Sequence, residues 1–320
     1  MSAPVRWPLR SGAGSTERRG LQAAALLAVM LVLLLGCGGA RSSDFTQCME
    51  PGKVTAALRI ESCTRLIGAG HMTLSDLGDA YFSRGVAYRQ QGDFDRAIAD
   101  YTVAIRLAPN ARVLVNRGAA YGHKGDFERA IADYTAAIAL DPGNANAYYN
   151  RGNSYEHIGN YDGAIDDLTR AIALNPRDAQ AFYNRGVAQG EKGNTDSAIA
   201  DYSQAIALDP DYAMALENRG SLYGGRGDYD RSLADLTKAI AVAPTHAIAF
   251  YNRGKTYLDM GNDDRAIADL TQALILKPDD PDTLYNRSVA YGRKGDKERA
   301  KADFDRYMSI TVGKLMDSKN

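Results

Sequence analysis

The chain carries almost no net charge: 38 basic residues stand against 39 acidic ones in 320, a net of −1. Nucleic-acid binders usually present a basic face, so that class is not expected. Histidine and cysteine are scarce, at four and three residues. No nucleophile, histidine and carboxylate fall into a catalytic spacing, and no glycine-rich loop follows a strand to cradle phosphate. His123 and His157 share one column of a repeating pattern, with Glu191 next in it. Equivalent residues on stacked helices stand roughly 10 Å apart, whereas a zinc–nitrogen bond is about 2 Å. The expectation is a non-enzyme without metal or cofactor.

The one long apolar run, Leu21 to Leu35, is short of the roughly 20 residues that span a bilayer. It follows Arg6, Arg10, Arg18 and Arg19 and precedes "GCGGARSS". A basic segment, an apolar segment of this length and small residues after it describe a secretory signal over residues 1–36. Without it the chain has 34 basic and 38 acidic residues. The stretch Leu34-Leu35-Gly36-Cys37 resembles a lipoprotein signal with Cys37 as lipid acceptor. Leu35 departs from that motif, which more often has a small residue there; the alternatives are ordinary cleavage nearby or a retained anchor helix. If Cys37 carries lipid, Cys48 and Cys63 remain as an even pair in an oxidising compartment, where they are expected to form a disulfide. The alternative is two buried free thiols.

Internal periodicity dominates the remainder. Gly118, Gly152, Gly186, Gly220 and Gly254 recur every 34 residues, Gly85 precedes them by 33, and Ser288 takes the seventh place. Three residues on stand Tyr88, Tyr121, Tyr155, Gln189, Tyr223, Tyr257 and Tyr291. A turn glycine follows, then Asp or Asn, which is the stop–start chemistry of a helix–turn–helix. The second helix carries small residues (Ala97, Ala130, Ala164) and then Tyr101, Tyr134, Leu168, Tyr202, Leu236, Leu270 and Phe304, and proline from Pro109 to Pro278 closes each unit.

This pattern resembles the tetratricopeptide repeat, an aromatic-x2-Leu-Gly-x2-Tyr, Ala-x3-Phe, Pro framework, over about 230 residues. The resemblance implies an all-α, right-handed α-solenoid of seven helix-turn-helix repeats. The expected organisation is a signal at 1–36, a linker at 37–52, a half-repeat cap at 53–78, seven repeats at 79–311 and a tail at 312–320. "RIESCTRLI" (59–67) aligns with the second helix of a repeat, with no matching first helix before it. At the other end Tyr307 in a small-residue column and a heavily charged last helix suit a finished cap.

One triplet departs from helix chemistry: Asn, Arg and Gly stand together inside first helix after first helix, although Gly costs about 1 kcal/mol against Ala there. The glycine is read as a close approach of two backbones. Each arginine, from Arg84 to Arg287, has an aspartate 16 residues on, from Asp100 to Asp303. Charge pairs inside or between repeats are expected; the alternative is a groove lined for acidic ligands. Asn116, Asn150, Asn184, Asn218, Asn252 and Asn286 fill the remaining column, preceded by Tyr149, Tyr183, Tyr251 and Tyr285 in four repeats.

The resemblance implies that these face a concave groove, like the asparagine ladder of O-linked N-acetylglucosamine transferases, where amides grip extended peptide backbone. The alternative is packing inside the repeat. Other groove columns hold the mixed set Arg112, Asn153, Glu156, Glu191, Glu217, Lys255 and Asp259. The expected role is an exported, lipid-anchored adaptor in the cell envelope, facing the periplasm, with a protein or peptide partner, a lipid bilayer at its N-terminus and no nucleic acid. A self-associating structural protein is the rival.

Overall fold

A computed structural model describes residues 43–50, 52 and 54–317. The signal segment and Cys37 lie outside the described residues. Every regular element among the described residues is an α-helix. The chain divides into two units, 1–108 and 109–320.

The first unit holds α1 (Ser43–Met49), α2 (Ala56–Ala69), α3 (Leu74–Gln90) and α4 (Phe94–Leu107). The helices α3 and α4 form one full helix pair. The sequence pattern placed residues 37–52 in a linker with no partner helix for α2. In the structure α1 fills that role: Cys48 and Cys63 are joined, with Cα atoms 4.9 Å apart, and both are buried. The pairing repeats the logic of the full pairs one residue shorter. Gln47 meets Ser62 (Ser62 Oγ donates to Gln47 Oε1, 2.7 Å) where a full pair has Arg and Asp. The disulfide stands where a full pair has Gly against an aromatic or Leu. Arg65 bonds Asp44 on α1, and Arg59 Nη2 donates to the Glu50 carbonyl. A helix of two turns is far too short to persist alone, so its periodicity is invisible and the cross-link does the holding. The helix α3 also starts before residue 79: Thr73 accepts from the Asp76 amide at 3.1 Å and donates to its carboxylate, a cap that adds a turn.

The second unit stacks six pairs: α5 (Ala111–His123) with α6 (Phe127–Leu140), α7 (Ala145–His157) with α8 (Tyr161–Leu174), α9 (Ala179–Glu191) with α10 (Thr195–Leu208), α11 (Ala213–Gly225) with α12 (Tyr229–Val242), α13 (Ala247–Asp259) with α14 (Asp263–Leu276), and α15 (Pro281–Arg293) with α16 (Lys297–Asp317). Within this unit each helix packs on its sequence neighbours, so the core is a seam rather than a ball. Turn chemistry sets the joints. Gly125 has φ +77°, open to glycine at no cost, and the amide of Asp126 returns to the Tyr121 carbonyl at 3.0 Å. Asp126 then accepts from the Arg129 amide and starts α6.

The triplet glycine sits where helices touch. A Cβ on Gly186 would lie 2.8 Å from Cε1 of Tyr202, a ring that is 4% exposed and cannot swing aside. In the last pair Phe304 is 43% exposed, and the matching place tolerates Ser288, whose Oγ donates to the Tyr285 carbonyl. Phe304, Met308 and Val312 form an exposed stripe at i, i+4 and i+8 of α16.

Gly186→Ala is expected to destabilise the array. Overpacking costs about 1–3 kcal/mol, against about 1 kcal/mol gained in helix propensity. Urea unfolding would show a net loss for Gly186→Ala and a smaller change for Ser288→Ala. Equal effects would mean that close approach is not why the column is glycine.

Candidate peptide-binding groove

The arginine column is committed to the fold. In all seven pairs Nε and Nη2 donate to the two oxygens of the aspartate 16 residues on, at 2.6–2.9 Å. The aspartates are buried, and the arginine side chains are 16–20% exposed. In six pairs Nη1 reaches back to a hydroxyl on the preceding second helix: Thr64, Thr135, Thr169, Ser203, Thr237 or Thr271, at 2.9–3.2 Å. Hydrogen bonding to Asp167 lifts the Arg151 guanidinium above its ordinary value against the opposing cost of burial. These forks pair inside a repeat and stitch between repeats at once, so they do not line a groove for acidic ligands.

The six asparagines stand on α5, α7, α9, α11, α13 and α15, all half-buried. They do not stand alike. Asn184 Nδ2 donates to the Tyr149 hydroxyl of the preceding pair at 3.0 Å and to Asn153 Oδ1 at 2.9 Å. Asn218 Nδ2 reaches the hydroxyls of Tyr183 (3.3 Å) and Tyr202 (3.4 Å), and Asn286 Nδ2 reaches Tyr251 (3.2 Å). The asparagine and tyrosine columns are thus one ladder, an amide of one repeat bonded to a phenol of the repeat before. Burial lifts the Tyr149, Tyr183 and Tyr251 hydroxyls above their ordinary value, so they stay protonated. Tyr285 is 45% exposed and packs its ring on Tyr307, 5.4 Å between centroids.

The ladder breaks where the preceding residue lacks a phenol. Asn150 follows Val115, and Asn252 follows Glu217; neither side chain makes a hydrogen bond among the described residues. Asn116 Nδ2 turns to its own helix, at the Arg112 carbonyl.

Glu217, expected on the groove surface, is buried at 5% exposed, and its Oε2 lies 2.6 Å from Nδ1 of His246 at the start of α13. Burial pushes its carboxyl above the ordinary glutamate value, with His246 acting in the opposite direction. Asp259 pairs with Lys255 at 3.1 Å. Glu156 is pushed up by burial and, to a lesser degree, by Glu191. His157 stacks on Phe127, centroids 4.5 Å apart at 14°, and no cluster of three metal-ligating side chains occurs among the described residues.

Paired helices in a repeating stack, with a half-buried polar and aromatic row on the first helices, define a solenoid binding module. Tetratricopeptide-repeat models match residues 115–179, 158–213, 183–244, 217–281 and 251–309, and a second such model matches 78–111. The chain belongs to the tetratricopeptide-repeat family. Proteins of this family bind protein or peptide partners and are generally scaffolds rather than enzymes.

A search of curated proteins finds no match. Among solved structures, YrrB, a TPR protein with an unusual peptide-binding site, is 28% identical with a TM-score of 0.51; the match covers 57% of this chain and 95% of YrrB. A tetratricopeptide repeat protein from Parabacteroides merdae is 24% identical, TM-score 0.58, over 72% of this chain and 92% of its own. PilW, a type IV pilus biogenesis factor, is 20% identical, TM-score 0.56, over 62% and 92%.

Two outcomes are expected. Asn184→Ala should lower stability, since each lost hydrogen bond costs about 1 kcal/mol and Ala returns only about 0.6 kcal/mol in propensity. Asn252→Ala, with no bond to lose, should leave stability equal or raised. Paired urea titrations check both, and indistinguishable variants would contradict the ladder.

The second concerns pH. A carboxyl whose folded pKa is raised above the unfolded value, here the ordinary glutamate value of 4.5, contributes stability below that value. The contribution is lost as pH rises through the folded value. Melting temperatures of the native chain, minus those of Glu217→Gln, should therefore fall as pH rises above about 4.5. A flat difference would contradict the burial of this carboxyl.

Proposed function

We propose that the chain is an exported, lipid-anchored adaptor that holds proteins or extended peptides in its concave groove, acting in cell-envelope assembly on the periplasmic side. The observation that carries the reading is the row of half-buried tyrosines and asparagines along successive first helices. Even where an amide nitrogen serves the ladder, its Oδ1 accepts no hydrogen bond among the described residues, so the row keeps acceptors to offer a peptide main chain. The rings add apolar contact with a polar tip. The basic and apolar N-terminal stretch ending in Cys37 supports export and anchoring, and the Cys48–Cys63 bond suits an oxidising compartment. Among the described residues no helix is long and apolar enough to cross a membrane. A second reading, self-association in the envelope, draws on the exposed Phe304, Met308 and Val312 stripe.

Site-specific photo-crosslinking in cells tests the groove. A benzophenone side chain at Tyr183 or Tyr251 should give discrete protein adducts, and one at Lys238 on the second helix α12 should not. Adducts that contain only this chain would favour self-association, and equal labelling from both faces would remove the groove. Cys37→Ser should release the chain from membranes or leave it uncleaved. Undiminished membrane retention of a correctly cleaved Cys37→Ser chain would overturn the anchor.

A further inference from the structure

The break in the ladder at Glu217 coincides with a hollow. Between α11 and α13, the first helices of neighbouring repeats, lies a cavity of about 160 Å³ lined by Ser221, Gly224, Gly225, Asn252, Lys255, Thr256 and Asp259. Two glycines make it. Gly224 answers a packing demand: a Cβ there would meet Ser232 Oγ and Thr256 Oγ1 at 3.1 Å, which are bonded to one another at 3.0 Å and buried. Gly225 answers none. A Cβ there would meet nothing within 4 Å, and its φ is not positive. The same column elsewhere holds Gln90, His123, His157, Glu191, Asp259 and Arg293. Glycine at the end of a helix, with no neighbour that requires it, leaves open volume and nothing else.

The walls specify what suits that volume. Asn252 brings an amide that the array does not use, because the residue above it is Glu217, turned to His246, rather than a tyrosine. Lys255 and Asp259 neutralise one another at 3.1 Å. A charged group entering the hollow would lose hydration against a lining of zero net charge. An apolar group would leave the lining's donors and acceptors unpaired. A primary carboxamide has two donors and an acceptor, carries no charge, and answers an amide, a hydroxyl and an ion pair together. The volume is about that of five waters at roughly 30 Å³ each, enough for one such side chain. We infer that this hollow is a specificity subsite that takes the glutamine or asparagine side chain of a peptide lying along the first helices. The inference rests on the groove reading and adds its sequence preference.

The test is selection from a random nine-residue peptide library against the immobilised full chain, in its native form and as Gly225→Leu and Asn252→Ala. Peptides bound by the native chain should share glutamine or asparagine at one position. Replacing that residue with glutamate or norleucine should weaken binding at least tenfold by fluorescence anisotropy. In Gly225→Leu, which adds a bulky side chain to the lining, the same replacements should change affinity less than twofold. Melting curves verify that this variant is folded; if it is not, Asn252→Ala, which removes no hydrogen bond of the array, carries the comparison. Peptides selected without a carboxamide preference, or a preference that survives in the folded variants, would overturn the subsite and leave the groove standing. Failure to select any peptide would overturn both.

Discussion

Each arginine of the triplet holds two things at once: the aspartate of its own helix pair and, in the six pairs where the contact is described, a hydroxyl of the pair before. Helices of 13 or 14 residues are marginal alone, so a stack of them needs contacts that set register as well as contacts that bury area. A guanidinium does this well because its planar fork matches a carboxylate with two parallel bonds and leaves a third nitrogen for a different partner. Buried pairs of this kind contribute less to stability than their geometry suggests, because both ions give up water. Their effect is on alignment, since a slip of one residue would leave a buried carboxylate without its fork. The truncated pair at the N-terminus shows the same need met otherwise. Gln47 and Ser62 replace the ions, and a covalent bond replaces the close contact of glycine with a ring.

Forks and glycines hold the paired helices together, and beside them the tyrosines and asparagines of the first helices are packed but half-buried. That row has two duties. Tyr149, Tyr183 and Tyr251 accept amide hydrogens from the next repeat, so the row we propose as the peptide surface also ties neighbours together. Such a surface is rigid before a ligand arrives, which lowers the ordering cost of binding. It also means that a regular ladder has little capacity to discriminate, because its repeats are alike. Discrimination has to come from irregular positions, and these cluster at Glu217, Gly225 and Asn252.

The repeat period, the joints and the pairing of each arginine with the aspartate 16 residues on were all legible in the residues, because each is a local rule applied seven times. The hydroxyl column from Thr102 to Thr271 was equally visible as a column, but its partner was not: Arg219 reaches Ser203 because two helices from different repeats happen to lie side by side. The short helix α1 has too few residues to show a period. Glu217 reads as one more polar groove residue until its carboxylate is found against His246. The charged C-terminal helix reads as polar throughout, yet Phe304, Met308 and Val312 stand exposed along one side of it.

By itself, then, the sequence determined an all-helical repeat array, its stop–start turns and the residue types on each face, because these follow from spacing along one chain. Only the tertiary structure decided which amides are used and which are free, and where a glycine is demanded by packing and where it leaves a hollow. Those outcomes depend on distances between atoms 16 to 35 residues apart, and such distances are set by how neighbouring pairs stack rather than by any pattern within one of them.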